Sequence, residues 1–202
     1  TEGLYHFVID DFDDFCHVEI FDWTDENIIY DGYYTEDYES ILAFYEDVIE
    51  RTPDMGLYAR WKKGLHPTAT GIKAYIEEDC LYLYTEKEKI VGAMAVTLYQ
   101  DEDYHPIQWS YQLNDDEVAV IHILAVNPDC QGKGIGSRMI GEAILLAQRN
   151  GKRSIRLDAL ASNTPAHKIY QGLGFEYRGK QHLYAENTNW TDFYYFEIIL
   201  NK

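Results

Sequence analysis

No run of about 18 consecutive apolar residues occurs in this chain of 202 residues, so no segment of it reads as a membrane-spanning helix. The first thirty residues are acidic and lack the basic start and apolar stretch of a secretory leader, and a soluble, cytoplasmic protein is expected. The chain opens on Thr1 rather than methionine, as a trimmed chain or a fragment would. Cysteine is scarce. Cys16, Cys80 and Cys130 are odd in number, far apart and in no metal-ligand spacing, which argues against a disulfide framework or a zinc site and leaves reduced thiols. Positive charge is also short, with 17 Lys and Arg against 35 Asp and Glu and a net charge of -18. Such a surface repels phosphate backbones and anionic lipids, so neither nucleic acid nor a membrane is expected as partner. It would draw in amines, polyamines or basic peptides; the alternative is that the acids only keep an aromatic-rich chain soluble. Internal repeats and low-complexity tracts are absent too.

What is present suffices for one well-buried domain, at 46% hydrophobic composition. Residues 1–25 interleave acids with Phe7, Phe12, Phe15 and Trp23; too apolar for a plain disordered tail, they read as an extension that adds a strand or packs on the domain at 26–202. Alternation suggests a first strand over 27–33, and Thr35 caps a helix whose apolar positions Ile41, Leu42, Tyr45, Val48 and Ile49 stop before Pro53. A shorter helix is expected over about 70–78. Between the two helices Met55, Leu57, Tyr58, Trp61 and Leu65 form an aromatic loop. Strands at 81–85 and 90–99 flank a charged turn, the mark of a hairpin. The continuous apolar run Val118 to Val126 predicts a central strand covered on both faces. An amphipathic helix at 135–149, a strand at 154–159, a helix at 165–172 and strands at 175–178 and 193–200 complete the chain.

The loop Gln131-Gly132-Lys133-Gly134-Ile135-Gly136 joins that apolar strand to the amphipathic helix. Glycines there let main-chain N–H groups converge, and the helix start adds partial positive charge, which suits a pyrophosphate. A nucleoside-triphosphate loop is excluded, because Lys133 follows the first glycine and Asn127 stands where the leading glycine belongs. A dinucleotide loop is excluded as well: Gly132, Gly134 and Gly136 are one residue short of the required spacing, although Asp158 could imitate its ribose-binding acid. A glycine-rich turn without ligand is the remaining alternative.

The stretch Ile121-His122-Ile123-Leu124-Ala125-Val126-Asn127-Pro128-Asp129-Cys130-Gln131-Gly132-Lys133-Gly134-Ile135-Gly136-Ser137 closely resembles the central motif of the GNAT superfamily of acetyl-CoA-dependent N-acetyltransferases. A second block, Asn163-x-x-Ala166-x-x-x-Tyr170-x-x-x-Gly174-Phe175, fits downstream in the right order. The resemblance implies an α/β (α+β) GNAT fold: a mixed, mostly antiparallel sheet of about six or seven strands, flanked by about four helices and splayed at the central strand. It implies acetyl-CoA or coenzyme A as co-substrate, with Leu124, Ala125 and Val126 contacting pantetheine through the backbone. Gln131, Gly132, Lys133, Gly134, Ile135, Gly136 and Ser137 would hold the pyrophosphate, Lys133 as solvent-facing help.

By the same resemblance Asn163 matches a position that bonds the cofactor arm, though it also reads as a helix N-cap. Tyr170 matches the hydroxyl that protonates the departing thiolate; the alternative is a packed aromatic at a helix end. Val120 occupies the place where some members carry a glutamate base. His122, two residues on and therefore on the same strand face, is the first candidate base; a hydrogen-bonded core histidine is the alternative, and Glu117 is the second candidate. Acyl transfer through Cys130 is disfavoured, because that residue sits at the phosphate end of the motif. Direct attack by a small cationic amine or a peptide amine, without a metal, is expected. The competing reading is a GNAT-fold sensor or interaction module that binds acetyl-CoA without turnover. Dimerisation is common in proteins of this kind.

Overall fold

The computed structural model describes residues 2–9, 16–21, 36–86 and 89–200. In chain order the elements are β1 (Glu2–Ile9), β2 (Cys16–Phe21), α1 (Glu36–Arg51), α2 (Ala69–Glu77), β3 (Leu81–Glu86), β4 (Lys89–Thr97), β5 (Val118–Val126), α3 (Ile135–Arg149), β6 (Ser154–Leu160), α4 (Thr164–Gly172), β7 (Glu176–Ala185) and β8 (Asn189–Ile199). The strands form one mixed sheet in the order β2-β1-β3-β4-β5-β6-β8-β7, in which only β5 and β6 run parallel. The sheet is wider than the six or seven strands expected, because β1 and β2 add to it, paired antiparallel with each other and through β1 with β3. The strand expected at 27–33 and the cap at Thr35 lie outside the described residues.

Alternation along β3 and β4 builds two cores. Leu81, Leu83, Ala93 and Ala95 meet Ile41, Tyr45 and Val48 of α1 and Ile72 and Ile76 of α2. Tyr82, Tyr84, Met94 and Val96 face the opposite way, onto Ile135, Met139, Ile140, Ala143 and Ala147 of α3. Gly92 permits that approach, since a Cβ there would stand 2.5 Å from Met139 Sδ. The helix stripe read from the sequence is thus the buried face of α3, and Asn150 closes the helix by donating to the Leu146 carbonyl at 3.0 Å.

Two irregularities of β5 shape the rest. Ala93 pairs with Ala125 and Ala95 with His122, so Ile123 and Leu124 together oppose Met94 alone: a β-bulge, with Ile123 at φ 42. Positive φ is rare for a β-branched residue, and the Tyr45 hydroxyl donates to the Ile123 carbonyl at 3.0 Å, holding the bulge. The bulge also reverses the alternation. Ala119 and Ile121 face the α3 core before it; Leu124 and Val126 do so after it. Second, β5 pairs with β6 only from Val118 to Val120, opposite Ser154 to Arg156; beyond that the two strands part and leave a cleft.

The face of β5 carrying Val118 and Val120 is covered by the segment that joins β4 to β5. The segment 98–117, with Tyr104, Ile107, Trp109 and Leu113, packs there against Tyr195. A fully buried ion pair anchors it: Arg156 donates to Glu197 through Nε and an Nη at 3.0 and 2.9 Å, and its guanidinium lies 3.9 Å from the Trp109 ring centroid. Glu197 also accepts the Ser110 N–H at 3.0 Å, and Arg156 bonds Gln100. Arg178 Nε also lies 3.1 Å from Glu197, and these several donors around one carboxylate offset the cost of burying the charges. Glu117, the second candidate base, stands in an ion pair with Arg153. It accepts from Arg153 at 2.8 Å and from the Asn114 N–H at 2.9 Å, which hold its carboxyl below the usual range, and it does not line the cleft.

Candidate functional site

The cleft between β5 and β6 opens into a cavity of about 860 Å³ that runs from the glycine loop to the α1–α2 segment. Its first wall is the loop itself. Gly132 and Gly134 adopt φ 76 and 80, a left-handed backbone reachable without strain by glycine. Among the described residues, the main-chain N–H groups of Gly132 through Ser137 have no hydrogen-bond partner, and they stand at the start of the 15-residue α3. Unpaired N–H groups at a helix start form a cradle suited to an anion. Gln131, Gly132, Gly134, Ile135, Gly136 and Ser137 line the cavity; Lys133 is exposed and does not. The Gln131 side chain turns back to donate to the Val126 carbonyl at 3.2 Å, so it shapes the loop.

The second wall is β5 past the bulge. Because β6 has parted from it, the edge of the strand at Leu124, Ala125 and Val126 borders the cavity with no neighbouring strand on that side. Opposite stands α4. Asn163 accepts from the Ala166 N–H at 3.4 Å, as its reading as a helix N-cap expects, and it also lines the cavity. Tyr170, 9% exposed, packs on Phe175 and Phe196 with ring centroids 6.1 and 5.6 Å away, and it borders the cavity. Its hydroxyl has no hydrogen-bond partner among the described residues. Burial, with the charge of Asp158 nearby, pushes its pKa far above the ordinary tyrosine value and keeps it protonated.

His122 borders the cavity too, stacked on Tyr75 at 5.5 Å with Nε2 3.1 Å from the Thr97 hydroxyl. Burial pushes its pKa down to about 4. The imidazole is therefore neutral near pH 7, since burial disfavours its charged form.

Asp158, which the sequence reading weighed only as a ribose-binding acid, stands two residues beyond the last β5–β6 pair, at the apex of the splay. It is half-buried, lines the cavity and accepts from the Tyr104 hydroxyl at 2.7 Å. Burial raises its pKa above the ordinary carboxylate value, opposed by the Tyr104 hydrogen bond. Its charge is felt by Tyr75, Tyr170 and Tyr195. One signal was present in the sequence, a single acid inside the apolar strand Ile155 to Leu160. Tyr104 carried none, lying in a segment without periodicity.

The far wall joins Tyr58, Trp61 and His66 of the α1–α2 segment to Asn187 and Thr188 of the β7–β8 turn. Asn187 Nδ2 donates to the Arg60 carbonyl at 3.0 Å and fastens the turn to that segment. Cys130 lines the cavity beside the glycine loop, and both it and Cys80 are free thiols.

Comparison with known proteins agrees with this geometry. The chain is 40% identical over 100 residues to an uncharacterized N-acetyltransferase of Methanocaldococcus jannaschii, covering 50% of this chain and 40% of that protein. It spans 40% or less of the curated relatives it matches. A Streptococcus agalactiae GNAT-family acetyltransferase superposes with a TM-score of 0.67 at 18% identity, over 84% of this chain and 93% of that one. A Salmonella typhimurium protein solved with its cofactor acetyl-CoA gives 0.60 at 17% identity, over 82% and 90%. The family model described as Acetyltransferase (GNAT) family matches residues 19–175, and with the splayed β5, its bulge and the glycine loop in place, the chain belongs to that family.

Proposed function

We propose that this chain transfers an acetyl group from acetyl-CoA to a primary amine by direct attack, without an acyl-enzyme. The observation that carries the reading is that one cavity joins the N–H cradle of Gly132 to Ser137, the free edge of β5, the protonated Tyr170 hydroxyl and the Asp158 carboxylate. When bound, acetyl-CoA supplies a thioester carbonyl as the electrophile. The cradle and the α3 start would hold its pyrophosphate, and Leu124 and Val126 would pair with pantetheine as a neighbouring strand would. A main-chain N–H at the bulge is suited to the negative charge that develops on the carbonyl oxygen during attack.

Two proton movements remain. An amine arrives as an ammonium and must lose a proton to attack; Asp158, with its raised pKa, is a better-matched acceptor than the neutral, weakly basic His122. Tyr170 gives its proton to the departing sulfur. His122, bonded to Thr97 and stacked on Tyr75, serves as part of the wall. The rival reading, binding without turnover, draws on Val120 standing where some members carry a glutamate base. Incubating the purified chain with acetyl-CoA and a panel of amines, and following released thiol, separates the two. Thiol release that depends on an amine is expected; acetyl-CoA binding by calorimetry with no release for any amine would establish the rival.

A further inference from the structure

The acceptor half of the cavity has a composition that selects among amines. Its walls are aromatic and neutral: Tyr58, Trp61, Tyr75 and Phe193, with Asn187 and Thr188 at the turn. Among the described residues no lysine or arginine lines the cavity, and its carboxylates are Asp158 at the apex and Asp54 at the rim. The two histidines present, His66 and His122, are both pushed below the ordinary imidazole value by burial and carry no charge at neutral pH. Arg51 is engaged with Asp47 and Asp129, Lys63 with Glu46 and Arg156 with Glu197, and Arg60 and Lys62, which flank the lining residue Trp61, do not themselves line the cavity. The anion cradle of the glycine loop follows the C-terminal end of β5, whereas Asp158 lies at the opposite end of the splay.

From this arrangement we infer that the acceptor is a primary amine with no free carboxylate beside its amino group: an alkyl- or arylalkylamine, or an amine whose neighbouring carbonyl is an amide. A free amino acid is excluded on physical grounds. Docking its ammonium on Asp158 would bring its own carboxylate, two bonds away, into a cavity whose described lining offers no cation and already holds a negative charge. The net charge of -18 opposes an anionic acceptor before it arrives. An amide at the same position brings no charge, and the Asn187 and Thr188 side chains are of the kind that accommodates it. The rings supply apolar contact for the remainder and favour a cation at the Asp158 end.

This inference rests on the amine-acetylation reading, and matched sets of acceptors test it. One set is tyramine, tyrosinamide and tyrosine; the other is 3-methylbutylamine, leucinamide and leucine. For each, kcat/KM is measured by released thiol, and affinity for the coenzyme A-loaded chain by calorimetry. The amine and the amide should each exceed the amino acid by roughly tenfold or more in both sets, the amide showing that charge rather than size decides. An amino acid used or bound as well as its amide, or no member of either set used or bound, would overturn the inference. Preferential binding of the carboxylate-free members with no turnover at all would sustain it while removing the acetyl-transfer reading.

Discussion

Tyr104→Phe tests the proton acceptor most directly. The substitution deletes one hydroxyl and leaves the ring between Trp109 and Tyr195, whose centroids lie 5.9 and 5.3 Å away. That hydroxyl donates to Asp158 at 2.7 Å. A hydrogen bond to a charged acceptor contributes about 1.5–3 kcal/mol to the ionised form. Burial already raises the Asp158 pKa, so removing its donor raises it further. At about 1.4 kcal/mol per tenfold change, the acid limb of kcat/KM should move up by about one to two pH units. The sign for stability follows from the same shift. A carboxyl whose folded pKa exceeds its unfolded value makes the protein most stable below the unfolded value, and stability falls as pH rises through the folded one. The variant should therefore lose up to about 1.5–3 kcal/mol near pH 8, where more of Asp158 is ionised, and less near pH 4, where less of it is. The limb is read from released thiol between pH 5 and 9, and stability from urea unfolding at the two ends. A limb that stays in place, with equal destabilisation at both pH values, would show that Tyr104 only packs and that Asp158 is not the titrating group.

Tyr170→Phe should lower kcat by about a hundredfold or more and leave acetyl-CoA affinity within about threefold, because it removes a proton donor without altering the packing on Phe175 and Phe196; unchanged kcat across the pH range would end that assignment. His122→Gln should preserve the shape of the pH profile above about pH 5, since the imidazole pKa lies at about 4; disappearance of a limb near neutrality would return proton transfer to His122. Gly134→Ala adds a Cβ that meets nothing within 4 Å, so its cost is the left-handed backbone alone, about 1 kcal/mol in urea unfolding. Relaxation of that strain would disturb the N–H cradle, and acetyl-CoA affinity should fall roughly tenfold or more by calorimetry. Equal affinity would mean that the turn at Gly134 is not needed.

Much of the frame is local and was therefore legible. β5 and α3 occupy the spans read from their residues, Val118 to Val126 and Ile135 to Arg149, because an unbroken apolar run and a 3.6-residue stripe each specify their own backbone. Asn163 caps α4 for the same reason. The strand at 175–178 fell short. β7 continues to Ala185 through polar, alternating residues that become strand only by pairing with β8, as in Leu183 with Thr191 and Tyr184 with Trp190. Residues 98–117 gave no periodic signal, since what orders them is the buried Arg156–Glu197 pair beneath Trp109.

By itself the sequence determined the family, the glycine loop that suits a pyrophosphate and the place of Tyr170, because each is written in a few neighbouring residues whose chemistry travels with them. Which side of β5 faces which core was settled by tertiary structure: the bulge at Ile123 reverses an alternation that strand periodicity alone would have continued. Tertiary structure also decided the charge state of the site. His122 loses its proton to burial. Asp158, from a distant strand, takes the apex of the splay under a hydroxyl 54 residues away, because desolvation and hydrogen bonding depend on what folds around a group.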